Sequence, residues 1–229
     1  MEFRVAGAIQ AMWYRERFLT GMAWDAITAA VLLRAGGPPS SLLMLGLGGG
    51  AALRQLKLLV PSLQITALEL DPGMIALGRK YMDVGNLNAS IVEGDAYHWL
   101  RGNRRRFDVI VDDVYGSGAQ DVSRPTVYTA ELRAALGRNL APGGAFVANL
   151  VTGPGHRNMQ IAFRRFMRET FPTVRAVRPT GSLNEALVGG IKLRPPGSLR
   201  SWEDRWPHRK DQRLWRQLRC RTLETLRNR

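Results

Sequence analysis

The feature that most constrains the fold of this sequence is a glycine-rich turn between a strand-like run and a helix-like run. Residues 42–46 are almost continuously apolar, as in a strand that is buried on both faces of a parallel sheet. Glycines crowd residues 46–50, and residues 51–60 have the pattern of a helix. This order of strand, glycine turn and helix allows bare backbone to approach a nucleotide-like ligand at the N-terminus of a helix.

A carboxylate at the end of the next predicted strand supports the same interpretation. Residues 64–69 are predicted to form a strand that ends in Glu69, about twenty residues beyond the glycine turn. At this spacing an acidic side chain commonly binds the hydroxyl groups of a ribose. The glycine turn and Glu69 together predict a cofactor that contains ribose.

The rest of the pattern predicts an α/β fold. Strand-like and helix-like runs alternate between residues 42 and 192 at the spacing of a doubly wound, mostly parallel sheet. We expect a seven-stranded Rossmann-like sheet with an antiparallel last strand. That strand, residues 185–192, follows residues 174–177 after only a short turn, which favours antiparallel pairing.

The predicted domain organisation places this sheet between two appendages. Residues 1–20 are expected to form a short N-terminal strand or hairpin with a loop, and residues 21–194 to form the Rossmann-like cofactor-binding catalytic domain. Residues 195–229 begin with Pro-Pro-Gly and are expected to form a basic helical tail. Leucines and Trp215 fall on one helical stripe of this tail, which predicts docking on the chain's own domain or on a second copy in a homodimer.

The net charge and the cysteine count limit the possible partners and locations. The chain has 33 Lys and Arg residues against 19 Asp and Glu residues, a net charge of +14 that favours polyanions, so nucleic acid is a possible partner of the basic tail. The sequence has no apolar run of about eighteen residues, so we expect no membrane span. A single cysteine, Cys220, excludes an intrachain disulfide and fits a cytoplasmic location. No Cys/His cluster has the spacing of metal ligands, and we expect no metal.

The sequence contains five short motifs: Gly46-Leu-Gly-Gly-Gly50, Glu69-Leu-Asp-Pro72, Gly94-Asp95, Phe107-Asp-Val-Ile-Val-Asp-Asp113 and Pro142-Gly-Gly144. Taken together, they resemble those of class I S-adenosylmethionine-dependent methyltransferases. Within that superfamily they are most similar to the spermidine synthase branch, and the resemblance covers about residues 5–192. The resemblance implies that the cofactor is S-adenosyl-L-methionine (SAM).

The resemblance also implies how the cofactor is held. The glycine turn would lie beneath the methionine-derived part of SAM, a carboxylate would accept hydrogen bonds from both ribose hydroxyls, and a second carboxylate would accept one from the adenine amino group. The residues at these positions are Gly46, Gly48 and Gly50 for the turn, Glu69 for the ribose, and Asp95 with Ala96 for the adenine. Asp95 also has the position of a helix N-cap, and an aspartate can serve both purposes.

On the acceptor side, the resemblance points to one residue as the catalytic base. Asp113 falls where the synthases place the aspartate that takes the proton from the attacking amine. Asp112 precedes it on a strand and must point to the opposite face, so we expect a structural role for Asp112. Gln10, Tyr14 and Tyr115 are candidate walls of the substrate pocket, although each aromatic residue could equally be part of the core.

Two departures from the synthase pattern decide the predicted activity. Ala51 stands where the synthases carry the aspartate that pairs with the amine of decarboxylated SAM, and Gly116 stands where a second aspartate holds the polyamine. A polycationic substrate needs several carboxylates, and the positive net charge also disfavours it. The sequence therefore predicts a SAM-dependent methyltransferase with a spermidine-synthase-like catalytic domain. We expect a small-molecule acceptor, and a methyltransferase acting on RNA or protein and a polyamine aminopropyltransferase are the alternatives.

Overall fold

The computed structural model describes residues 1–5, 8–117, 122–124 and 128–223. The strands are β1 (Glu2–Val5), β2 (Ala8–Met12), β3 (Ser41–Leu45), β4 (Gln64–Glu69), β5 (Ala89–Glu93), β6 (Phe107–Asp112), β7 (Gly116–Ser117), β8 (Val122–Ser123), β9 (Leu140–Val151), β10 (Thr173–Arg178), β11 (Asn184–Gly190) and β12 (Arg219–Leu223). The α-helices are α1 (Ala23–Val31), α2 (Ala51–Leu59), α3 (Pro72–Tyr81), α4 (Ala96–Gly102), α5 (Ala130–Asn139), α6 (Arg157–Thr170) and α7 (Arg209–Gln217). Segments Val84–Asn86 and Pro196–Arg205 are 3-10 helices.

The predicted doubly wound, mostly parallel sheet is confirmed. The strand order is β12-β10-β11-β9-β6-β3-β4-β5, and the strands from β9 to β5 run parallel to one another. Strand β11 is antiparallel to both β9 and β10, as the short turn between the last two predicted strands indicated. Helices α1, α2 and α3 pack on one face of the sheet, and α4, α5 and α6 pack on the other.

The sheet has eight strands where the sequence predicted seven. The additional strand is β12, which pairs antiparallel with β10 at the edge of the sheet. The prediction of a helical tail is therefore wrong for residues 219–223. Cys220 packs against the core on the α1 side of the sheet and Leu223 packs on the α6 side, so this short run has the alternation of a strand.

The C-terminal segment, residues 195–223, docks on the chain's own domain. Trp206 and Trp215 are buried with ring centroids 5.3 Å apart, and the indole N–H of Trp215 donates to the carbonyl oxygen of Leu199 at 2.7 Å. The part of the expected apolar stripe that the structure describes therefore packs against the chain's own core. Leu226 lies outside the described residues. Among those residues, no helix is both long and apolar enough to cross a membrane.

The N-terminal hairpin also helps to position the site, together with the sheet. β1 and β2 pair antiparallel as a hairpin, one of the two forms expected for residues 1–20; residues 6 and 7 lie outside the described residues. The chain then passes through residues 13–22 into α1. Because β2 approaches the glycine turn after β3, the hairpin lies over the carboxyl edge of the sheet. In doubly wound folds this edge is where ligands bind.

Candidate functional site

The glycine turn after β3 fits tightly between two neighbouring segments. Gly46 has a left-handed backbone conformation (φ +82°), and a Cβ atom there would lie 2.5 Å from the carbonyl oxygen of Asp113. A Cβ atom on Gly48 would lie 2.9 Å from the carbonyl oxygen of Gln10 in the hairpin. A side chain at either position would push β6 or the hairpin away, so the chain needs glycine to close this part of the site.

Gly50 and Ala51 have a different role from the one that the sequence suggested. Gly50 is the N-cap of α2 (φ +74°), and a Cβ atom there would lie 2.6 Å from Cγ2 of Val84. Gly50 therefore allows α2 to pack against the 3-10 helix at Val84–Asn86. Neither Gly50 nor Ala51 is among the residues that line the cavity at this edge. The side chain of Ala51 therefore does not line this cavity.

A cavity of about 920 Å³ opens at the carboxyl edge of the sheet. The ends of β3, β4 and β5 form one side of it, which we call the adenosine side, and the ends of β6 and β9 with the start of β11 form the acceptor side. The adenosine side includes Gly46, Gly48, Leu68, Glu69, Leu70, Asp71, Met74, Gly94, Asp95, Ala96, Tyr97 and Arg101. The acceptor side includes Gln10, Met22, Ala23, Trp24, Asp113, Val114, Tyr115, Gly116, Asn149, Val151, Gly153, Pro154, His156, Leu183 and Asn184.

Most of the predicted site residues therefore face one cavity, and Tyr14 is an exception. Tyr14 does not line the cavity: the guanidinium of Arg17 lies 3.7 Å from the centre of its ring, and its hydroxyl contacts the sulfur of Met12. Its prediction as a substrate wall is therefore wrong.

Glu69 is held firmly at the centre of the adenosine side. Its Oε2 atom accepts hydrogen bonds from the backbone N–H groups of Leu47 (3.1 Å) and Gly48 (2.9 Å) in the glycine turn. Its Oε1 atom accepts from Leu70 (2.9 Å) and Asp71 (3.1 Å) at the start of α3. The carboxylate is thus fixed in orientation before any ligand binds. Since an ionised carboxylate offers about four lone-pair directions, ribose hydroxyls would share its oxygens with these amides.

Asp95 caps α4 and faces the cavity at the same time. Its carboxylate accepts a hydrogen bond from the backbone N–H of His98 at 2.6 Å, which confirms the predicted N-cap. Asp95 and the neighbouring Ala96 line the cavity beside Glu69. The adenosine side therefore offers a carboxylate for the ribose, a second carboxylate for an amino group and a small apolar surface for a ring. This set of groups fits an adenosine-containing cofactor.

Asp113 is the carboxylate of the acceptor side. The side-chain amide of Asn149 donates to Oδ1 of Asp113 at 2.7 Å, and Asn184 donates in turn to Oδ1 of Asn149 at 3.0 Å. Burial raises the pKa of Asp113 to about 7, although the hydrogen bond from Asn149 and the positive charge of Arg124 both act in the opposite direction. A carboxylate with a pKa near the working pH is suited to general-base catalysis.

Asp112 faces away from the cavity, as its position on β6 predicted. It forms an ion pair with Arg124 at 2.5 Å, and both side chains are 0% exposed. The hydroxyl of Tyr97 donates to the same carboxylate at 3.1 Å. The guanidinium of Arg124 also lies 5.1 Å from the centre of the Tyr115 ring. Asp112 and Arg124 therefore stabilise the segment that follows β6.

Tyr115 forms part of the acceptor wall and is bound through its hydroxyl. The hydroxyl donates to the carbonyl oxygen of Asn149 (3.0 Å) and accepts from the backbone N–H of Val151 (3.2 Å). The sequence motifs do not indicate the roles of Asn149, Asn184 and Arg124. An amide interrupts the apolar strand β9 at Asn149, which is a signal in the sequence, but its partner Asp113, directly after β6, is distant along the chain. Within the described part of the chain, no group of His, Cys, Asp and Glu residues is arranged to hold a metal ion.

Comparisons with known proteins agree with this geometry. Residues 42–144 match the family model described as "Methyltransferase domain". A probable polyamine aminopropyl transferase of Bifidobacterium longum is 32% identical over 144 residues, which are 62% of this chain and 30% of that protein. Spermidine synthase from Thermotoga maritima has a TM-score of 0.67 at 19% identity, covering 93% of this chain and 75% of the other. Human methyltransferase-like protein 13, in complex with SAH, has a TM-score of 0.62 at 24% identity, covering 86% of this chain and 90% of the other.

The fold and the site define a protein with the class I SAM-dependent methyltransferase fold. The fold is related to that of spermidine synthase, and the resemblance inferred from the motifs is thereby confirmed. The match to the methyltransferase domain model covers residues 42–144, and the similarity to the solved structures extends over the fold of most of the chain. The chain spans less than a third of the length of the curated relative from Bifidobacterium longum.

Proposed function

We propose that this protein binds SAM in the cavity and transfers the methyl group to an acceptor beside Asp113. The observation that carries the proposal is the charge of the acceptor side: of the described residues there, Asp113 alone carries a carboxylate. Gly116, at the position where the resemblance places a polyamine-binding aspartate, lines the cavity without an acid. Each ammonium group of a polyamine would be costly to bury without a partner, so the described wall is poorly suited to a polycation.

The residues of the site support methyl transfer in a simple way. Bound SAM supplies an electrophilic methyl group on a sulfonium, and the lone pair of the acceptor displaces the thioether, leaving SAH. Glu69 and Asp95 would hold the ribose and the adenine, which fixes the methyl group relative to the acceptor side. Asp113 would accept the proton that the acceptor loses as the new bond forms. Because Asn149 binds Oδ1 of Asp113, Oδ2 is the oxygen available to the acceptor.

We propose a small molecule as the acceptor. The cavity volume of about 920 Å³ lies in the upper part of the range of small-molecule pockets, and its adenosine and acceptor sides are continuous. Trp24 and Tyr115 would offer apolar surface to the acceptor, while Asn184 and His156 would offer polar contacts. Such a wall suits an acceptor with a largely apolar body.

Aminopropyl transfer is the second candidate, and the names of the relatives favour it. The relative from Bifidobacterium longum is called a probable polyamine aminopropyl transferase, and that reaction would use decarboxylated SAM. Calorimetry separates the two candidates. We expect SAM and SAH to bind more tightly than decarboxylated SAM. Tighter binding of decarboxylated SAM would favour aminopropyl transfer.

An acceptor on a polyanion is a further candidate, and an arginine cluster at the start of β11 favours it. Arg164, Arg178 and Arg221 surround the buried carboxylate of Glu185, with Arg178 and Arg221 each 3.1 Å from it. Glu185 directly follows Asn184, which lines the cavity. This arginine cluster has an excess of positive charge that RNA phosphates would complement. Binding of an RNA oligonucleotide that weakens steeply with salt would support this acceptor class, and undetectable binding would oppose it.

A homodimer and a cytoplasmic location remain predictions.

A further inference from the structure

The segment that joins the hairpin to α1 is bound by a carboxylate from the other end of the chain. The backbone N–H groups of Phe18 and Leu19 both donate to Oδ1 of Asp211, at 3.0 Å and 2.7 Å. Asp211 lies in α7 of the C-terminal segment and is 0% exposed. A carboxylate is costly to bury unless donors surround it, so these N–H groups are part of what keeps Asp211 inside the protein.

A second buried carboxylate binds the next residues. Asp25, in the first turn of α1, accepts hydrogen bonds from the backbone N–H groups of Thr20 (2.9 Å) and Gly21 (2.6 Å). The Thr20 hydroxyl donates to Asp25 and accepts from the N–H of Met22. Every backbone N–H from residue 18 to residue 22, which we call the connecting segment, is therefore bound by a side-chain oxygen. This segment has no regular secondary structure, so these bonds define its path.

The connecting segment leads directly into the acceptor wall. Met22 and Trp24 line the cavity, and Trp24 is 8% exposed. The connecting segment also contacts the chain near β11: the carbonyl oxygen of Gly21 accepts a hydrogen bond from the N–H of Gly181 at 3.1 Å. Gly181 lies two residues before Leu183, which also lines the cavity. A shift of the connecting segment would therefore move Met22 and Trp24 relative to the rest of the acceptor side, while the adenosine side is built from other strands.

We propose that Asp211 is a positioning residue of the acceptor side, through which the C-terminal segment holds the connecting segment so that Met22 and Trp24 form one wall of the cavity. The proposal rests on the proposed function only in placing the acceptor in this cavity, and it holds for either transferred group. It gives the C-terminal segment a role in substrate binding beyond covering the sheet. Asp25 holds the end of the connecting segment that adjoins α1, and Asp211 holds the end that adjoins the hairpin.

The test compares two adenosine thioethers on the full-length protein. We expect 5′-methylthioadenosine to occupy the adenosine side, and the octyl chain of 5′-octylthioadenosine to extend into the acceptor side towards Trp24. In Asp211→Ala we expect the affinity for the octyl compound to fall by about tenfold, because a displaced wall would leave about two methylene groups of the octyl chain unburied. The affinity for the methyl compound should change by less than about twofold. Asp204→Ala is the matched control, because Asp204 is an exposed acid of the same C-terminal segment.

Hydrogen exchange of the connecting segment provides a readout that needs no ligand. In Asp211→Ala the amides of Phe18 and Leu19 should exchange faster, while amides of the parallel strands keep their protection. Asp211→Asn retains a carbonyl acceptor and should give a smaller effect on both measurements, which also provides the comparison if the alanine variant does not fold. Equal loss of both thioethers, or unchanged exchange at Phe18 and Leu19, would overturn the proposal. The wild-type affinity for 5′-methylthioadenosine separately tests the adenosine side, on which the proposed function depends: undetectable binding would refute the proposed function and leave the hydrogen-exchange result as the test of Asp211.

Discussion

Replacing Asp113 with asparagine keeps the shape of the side chain and removes the negative charge that we assign to the base. Burial raises the pKa of Asp113 to about 7. A base with this pKa is about one-tenth ionised at about pH 6 and about nine-tenths ionised at about pH 8. Since the ionised form accepts the proton, wild-type kcat/KM should rise by about tenfold over this interval.

In Asp113→Asn, turnover should fall by about 10²–10⁴-fold, the usual contribution of a positioned base, and the rise with pH should disappear. Affinity for SAH should stay the same, because Asp113 lies on the acceptor side. The assay is the formation of SAH from SAM and an acceptor at several pH values, with calorimetry of SAH binding alongside. Full turnover with the wild-type pH profile would refute the role of Asp113 and leave alignment alone as the source of catalysis.

The same residue gives a stability prediction with a definite sign. The pKa of Asp113 is about 7 in the folded protein against an ordinary 3.8, so the folded state binds this proton more tightly than the unfolded state. The resulting contribution to stability is present below about pH 4 and is lost as the pH rises through about 7. The free energy of unfolding of Asp113→Asn should therefore improve relative to wild type between about pH 5 and about pH 8. Denaturant titrations measure this difference, and a difference that is constant with pH would contradict the assigned pKa.

Asp112→Asn should lose about 3–5 kcal/mol of stability by leaving Arg124 buried without its partner, with turnover per folded molecule unchanged; a large loss of turnover there would mean that the two aspartates exchange roles. Glu69→Ala should weaken SAH binding by about 1.5–3 kcal/mol in calorimetry, and an unchanged affinity would contradict the adenosine side. Gly46→Ala should lower the melting temperature, because its Cβ atom would meet the backbone of Asp113, and wild-type stability would show that β6 can move.

Those parts of the site that depend on local pattern could be predicted from the sequence. A strand that ends in glycines and continues as a helix identifies Gly46 and Gly48, and the spacing to the next strand identifies Glu69. The alternation of side chains along β6 separates Asp113 from Asp112. The order of strands and helices determines the doubly wound sheet. Each of these inferences uses residues that are close together in the chain.

The features that the sequence did not reveal depend on contacts between distant residues. Asn149 donates a hydrogen bond to Asp113 from a different strand, and Asp211 in the C-terminal segment binds the backbone of the connecting segment. Tyr14 is of a residue type that often lines pockets, but in the structure it contacts Arg17 and Met12 instead. Residues 219–223 form a strand because the edge of β10 offers unpaired backbone groups, which the leucine spacing of the tail does not indicate.

The fate of the methyl group tests the central claim most directly. SAM and decarboxylated SAM, each labelled with carbon-13 in the methyl group, can be incubated with the protein and a panel of acceptors, and the products followed by mass spectrometry. Methyl transfer moves the label to the acceptor and releases unlabelled SAH, and this is the result that we predict with SAM. If the label instead stays on 5′-methylthioadenosine released from decarboxylated SAM, while the acceptor gains an unlabelled aminopropyl group, the protein is an aminopropyltransferase and the account is wrong.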